Sequence, residues 1–279
     1  MNLGALLALS SALAYGTADF VGGVGSRRYS SWQVVLVGQA AGALVMLLAG
    51  LMLPGSPVTL DFAWALLAGL GSATGSIFLF RGLASGRMGL VAPISAVGAA
   101  SLPVVAGVAF GERPSGLVWV GVLAALPGIW LVSRETSSDR PERARGALVD
   151  GALAGAGFGI LFIALGQISD GAGVLPLAAN QLIGAILTLV AATSLRQLWR
   201  PCRGVVAWGS ASGVLGASGT LAFMVATGAT SLGIAGVLAS LYPAVTVLLT
   251  AGVLGERIGT GQRTGIGVCT LAVATLALG

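Results

Sequence analysis

Histidine is absent from the chain, and all fourteen basic residues are arginines. Without an imidazole there are no His-ligated metal sites, no His general bases and no His proton relays. The two cysteines, Cys202 and Cys269, form neither a metal-spaced cluster nor a disulfide framework, so no metal or other cofactor is implied. Charge is also scarce. Only 8% of the 279 residues are charged, against about 25% in a soluble domain. The hydrophobic share is 56% and the mean hydropathy +0.97. These values exclude an ordinary soluble protein and point to a multi-pass protein of the membrane. The net charge of +5 is then read as loop arginines that orient the chain in a bilayer, not as a nucleic-acid surface. The N-terminus lacks a basic leader and a clear cleavage site, so the first apolar segment is expected to remain as a membrane span.

A spanning helix needs about 20 apolar residues, and ten such segments are present. They lie at about 3–24, 33–53, 62–84, 89–110 and 115–133, then at about 147–168, 175–195, 204–227, 232–254 and 261–278. One stretch, "RETSSDRPERAR" from Arg134 to Arg145, reads as a linker. On either side of it the sequence repeats. Tyr15-Gly16 falls on Phe158-Gly159 at an offset of 143, and "QAAGA" from Gln39 on "QLIGA" from Gln181 at 142. "SATGS" from Ser72 falls on "GASGT" from Gly216, and Gly111-Glu112-Arg113 on Gly255-Glu256-Arg257, both at 144. Four matches in one order at nearly constant offset indicate duplication. An odd number of spans per half makes the second half enter the membrane from the opposite side. The expected fold is therefore all-α and integral to the membrane, with ten transmembrane helices as two five-helix inverted repeats. The first repeat is 1–133, the charged linker 134–146 and the second repeat 147–279.

With these residues in view, the chain resembles the drug/metabolite transporter superfamily, of the EamA type. "GRMGLVAPISAVGAASLPVVAGVAFGERPS" (Gly86 to Ser115) is similar to that family's fourth span and following loop, and "SLGIAGVLASLYPAVTVLLTAGVLGERIG" (Ser231 to Gly259) to its ninth. The resemblance covers essentially the whole chain. It implies small-molecule transport by alternating access and leaves the substrate open.

Loops after odd-numbered spans hold twelve arginines, whereas those after even-numbered spans hold Arg113 alone. The positive-inside rule puts the odd loops in the cytoplasm and both termini outside. The resemblance pulls the other way, since many members of the family have both termini inside. The expected location is the plasma membrane.

Asp19, in "LAYGTADFVG", is a carboxylate within an apolar run. Arg81 on the third span and Gln39 on the second lie at a similar depth, so an Asp19–Arg81 pair near Gln39 is the preferred expectation. It would serve either as a structural lock or as a substrate or proton site, and snorkelling of Arg81 to the headgroups is an alternative. Asn180 and Gln181 extend the amide set, as cavity lining or as glue between helices. Ser72, Ser76 and Ser218 add hydroxyls, which in a helix also bond back to a carbonyl one turn earlier. Pro93 and Pro243 are expected to interrupt the fourth and ninth spans and free carbonyls. Tyr15 and Tyr242 supply hydroxyls on aromatic bodies. The GxxxG pairs read as close helix packing, Glu112 and Glu256 as caps or ion pairs at span ends, and Asp150 and Asp170 as solvated ends of the sixth span.

An intramembrane serine protease is disfavoured, because the serine of "GASG" (Gly216 to Gly219) has no histidine to activate it. ATP-driven pumping is disfavoured because no GxxxxGK[ST] loop exists. An ion channel lacks a ring of like charges. What remains is a secondary transporter of a small polar or amphipathic metabolite, with export of amino acids or related compounds first. Multidrug efflux and a non-transporting membrane scaffold are the alternatives. The partners expected are a small-molecule substrate, the lipid bilayer and protons as the coupling ion, with a monomer as the working unit.

Overall fold

In lipid, no water is available to satisfy a backbone N–H or C=O, so a spanning chain must bond within itself. A computed structural model describes residues 3–84, 88–133, 141–255 and 259–278, and all regular structure in them is helical. The first half holds α1 (Leu3–Ser26), α2 (Ser31–Met52), α3 (Thr59–Ala84), α4 (Met88–Ala109) and α5 (Gly116–Ser133). The second holds α6 (Pro141–Leu165), α7 (Leu175–Ser194), α8 (Arg203–Thr227), α9 (Leu232–Ala239), α10 (Tyr242–Leu254) and α11 (Thr260–Leu278). Seven described segments are long and apolar enough to cross a membrane, and Ile94–Ala109 and Gly116–Leu131 are shorter apolar helices. Large aliphatic side chains face outward along α2 and α5, among them Leu44, Leu48, Leu51 and Leu123. A surface of that kind in water would be a liability. Facing lipid, it is the expected outer coat of an integral membrane protein.

α9 and α10 make up one span, Leu232–Leu254, broken near its middle. Pro243 sits at the start of α10 and has no N–H to continue the ladder. The backbone tightens there: the Leu241 N–H donates to the Leu238 carbonyl at 3.2 Å and the Ala244 N–H to the Leu241 carbonyl at 2.9 Å. The expectation for Pro93 fails, since α4 runs continuously through it from Met88 to Ala109. Proline there removes one backbone bond near a helix start, and a membrane helix absorbs such a loss when neighbours satisfy the freed carbonyl. The side chain of Pro93 lies outside the described residues.

Packing joins the two halves more than it closes either one. α1 lies along α8, α3 along α6, α4 along α6 and α5 along α11, while α2 crosses both α7 and α8. Small residues make these approaches possible. A Cβ on Gly213 would enter the Gly38 backbone, and one on Gly157 would meet the Gly75 nitrogen at 2.5 Å. Gly151, Gly155 and Gly159 all face α4. The glycine spacing is thus used for close helix contact. Hydroxyls add ties between halves: Ser11 Oγ donates to the Gly219 carbonyl at 2.8 Å, Ser212 Oγ to that of Ala18 at 2.9 Å and Thr246 Oγ1 to that of Gly16 at 3.0 Å.

The loops are tied across the halves as well. Asp61 at the start of α3 accepts from the Ser169 N–H and Oγ, each at 2.9 Å, holding the α6–α7 loop. Glu112, after α4, accepts from the Leu232 N–H at 2.6 Å and the Gly233 N–H at 3.2 Å. A carboxylate is stabilised there because the first N–H groups of a helix are unpaired and carry partial positive charge. Glu112 is therefore a cap on α9. Glu256 lies outside the described residues.

Candidate functional site

A helix presents residues three and four apart on one face, and six helices turn such faces to a shared cavity of about 80 Å³. α1 contributes Tyr15, Ala18 and Asp19, and α2 contributes Val34, Val35, Gly38 and Gln39. α3 adds Ser72, Ser76 and Phe80 at four-residue steps. From the other half come Phe158 and Leu161 of α6, Gln181 of α7, and Ser212, Gly213, Gly216 and Thr220 of α8. The repeat offsets relate much of this lining to itself. Tyr15 corresponds to Phe158, Ala18 to Leu161, Gln39 to Gln181, Ser72 to Gly216 and Ser76 to Thr220. Positions matched in sequence therefore meet around one space.

Within the lining, most hydroxyl donors are already engaged. The Tyr15 hydroxyl lies 2.9 Å from Thr220 Oγ1, which bonds the Gly216 carbonyl at 3.1 Å. Ser212 Oγ donates to the Ala18 carbonyl at 2.9 Å, and Gln39 Nε2 donates to Ser72 Oγ at 2.8 Å. Gln39 Oε1 is buried with no donor among the described residues. Asp19 makes no hydrogen bond or ion pair with any described residue, and it carries the only formal charge in the described lining. Behind Tyr15 stands an aromatic stack. Its ring is 5.8 Å from that of Phe162, which lies 4.6 Å from Phe223. Phe162 is the repeat counterpart of Asp19, so the carboxylate belongs to one half alone.

The expected Asp19–Arg81 pair does not form. Arg81 turns to α6 instead, where its guanidinium bonds Asp150 Oδ1, with Nε at 3.1 Å, and it also lies 4.5 Å over the Phe78 ring. The reason is the packing of α3 on α6, which sets Arg81 beside Asp150 and away from α1. Asp150 is buried, contrary to its expected solvation, and Asp170 is exposed as expected.

Of the remaining candidates, Tyr15, Asp19, Gln39, Ser72, Ser76 and Gln181 line the cavity; Arg81, Asn180, Ser218 and Tyr242 do not. Ser218 faces outward and bonds back to the Val214 carbonyl at 2.9 Å, the usual fate of a helical hydroxyl. Asn180 is fully buried with neither amide atom partnered by a described residue. Tyr242 stands one layer back, edge-on to Phe158 with centroids 6.4 Å apart and its hydroxyl 3.4 Å from Ser95 Oγ. Thr220 and Phe158 were visible in sequence through the repeat matches. Val34, Val35 and Phe80 carried no mark that separates a cavity wall from ordinary core.

Comparison with known proteins follows the same division. The model of the EamA-like transporter family matches residues 2–134 and again 147–278. A solved crystal structure superposes with a TM-score of 0.76 over 99% of this chain and 96% of its own, at 15% sequence identity. At that identity the likeness shows the fold alone. No curated protein matches the chain.

Proposed function

The chain belongs to the EamA-like transporter family, and on that premise we propose that it is a secondary transporter moving a small polar or amphipathic metabolite by alternating access. In this reading ten spans form two inverted repeats, 1–133 and 147–279, joined by the linker 134–146. The carrying observation is the cavity: five pairs of repeat-related positions surround it, and both halves supply its polar groups. A site between inverted repeats becomes accessible to either side when one half rocks against the other. The broken span α9–α10, one layer behind the cavity, fits this reading, because discontinuous helices are common in transporters built from inverted repeats. The arginine asymmetry supports an orientation with the odd loops cytoplasmic, and the plasma membrane is the location proposed with it. Both sides of the pathway come from a single chain, which supports a working monomer. Export of amino acids or related metabolites is one substrate class to test, and protons are candidate coupling ions.

The experiment is efflux from proteoliposomes preloaded with amino acids, amines, sugars, nucleosides or organic acids, with and without a pH gradient. Saturable flux of one class, lost on Gln39→Leu with Gln181→Leu in protein that still folds, is the expected result. Absence of flux for every class from folded, reconstituted protein would overturn the transporter reading.

A further inference from the structure

The geometry points to a substrate class: the cavity takes a small organic cation, its ammonium group held by Asp19. This deepens the transporter reading and rests on it. Asp19 is the only formally charged group in the described lining, and no described residue pairs with it. A carboxylate withdrawn from water is costly unless something compensates it. Arg81 on α3, the partner expected from the sequence, is committed to Asp150. What enters the cavity, a proton or a cationic group, can then supply the compensation.

The neutral groups favour the same occupant. An ammonium donates three hydrogen bonds and accepts none. Gln39 Oε1 is an acceptor with no donor among the described residues, and Tyr15, Thr220 and Ser212 already have partners for their hydroxyls. That leaves Ser72, Ser76 and the Gln181 amide as the donors not committed to a described residue. Phe80 and Phe158 complete the wall, and aromatic rings attract cations through their π faces. An amino-acid zwitterion or a carboxylic acid fits less well. Its carboxylate would share a desolvated space with Asp19, and no described arginine reaches the lining. Size sets a further limit. A cavity of about 80 Å³ is roughly half the volume of an engineered cavity that takes benzene, which suits an amine of a few heavy atoms rather than a drug-sized cation.

Propylammonium, alanine and propionate have three carbons each and differ in charge, so they separate the classes. Binding of each to the purified protein is read by tryptophan fluorescence and thermal shift, and flux by proteoliposome efflux. Saturable propylammonium binding, tighter than that of the other two, is expected. It should fall at least tenfold in Asp19→Asn and persist in Asp19→Glu. Propylammonium should also protect Asp19 of the wild-type protein from carbodiimide labelling, which keeps the test intact if Asp19→Asn does not fold. Three results would overturn the inference: preference for alanine or propionate, no binding of any of the three, or cation binding that survives Asp19→Asn or leaves labelling unchanged. Flux of alanine or propionate without propylammonium removes the cation and leaves the transporter standing. Propylammonium bound at Asp19 with no flux of any solute keeps the cation site and removes the transporter reading.

Discussion

Two carboxylates, each within reach of an apolar interior, meet different fates in this chain. Asp150 is buried against Arg81, and Asp19 faces the cavity without a counter-charge from any described residue. Residues in contact share interaction energy, whereas residues with no common partner change stability independently. A double-mutant cycle on Arg81→Gln and Asp150→Asn, read by thermal unfolding, should therefore give a coupling of about 0.5–3 kcal/mol. The cycle on Arg81→Gln and Asp19→Asn should give a coupling below about 0.5 kcal/mol. A large coupling in the second cycle would restore the pair expected from sequence. That expectation went wrong because depth along a span can be counted from its ends, but azimuth and neighbour cannot. Asp19 and Gln39 line one cavity, whereas the packing of α3 on α6 decides which way Arg81 points.

Helix crossings set the dimensions of the cavity, and two of its lining glycines on α8 differ in whether they also carry a helix contact. Gly213 lies where α8 crosses α2, and a Cβ there would run into Gly38 backbone that has no side chain to move aside. Gly216 borders the cavity, and its added Cβ would meet only the Ala18 Cβ at 4.0 Å. Gly213→Ala is expected to cost about 1–3 kcal/mol of stability through forced separation of the helices. Gly216→Ala should leave the melting temperature unchanged or raise it slightly, because alanine is the better helix former, and should weaken binding by narrowing the cavity. Equal stability loss in both variants would show that the α2–α8 crossing does not set the spacing. The GxxxG pattern marked Gly209 and Gly213 as packing residues. It could not mark Gly216 as lining, since a glycine facing a helix and a glycine facing a space look alike in sequence.

The whole molecule is held by contacts between its halves: α1 on α8, α3 on α6, α5 on α11, Glu112 on α9 and Asp61 on the α6–α7 loop. An interface of that extent should not need a covalent connection. Chains 1–133 and 147–279 expressed as separate polypeptides are expected to co-purify and to bind the same ligand as the intact protein. If each half purifies alone and neither finds the other, the linker is required for assembly.

By itself the sequence determined the class of molecule. Scarcity of charge and apolar runs of span length leave a chain no solvent but lipid, and a duplicated pattern of glycine, glutamine and glutamate survives as text because both halves face the same packing problem. It also located most of the polar groups of the cavity, since an amide or carboxylate within an apolar helix is too costly to be there by default. The tertiary structure decided the pairings. Whether Arg81 neutralises Asp19 or Asp150, whether Ser218 faces lipid or the cavity, and whether a proline breaks its helix depend on rotation about a helix axis and on which neighbour fills the space. These are set by close contact between segments more than a hundred residues apart, and no local pattern encodes them.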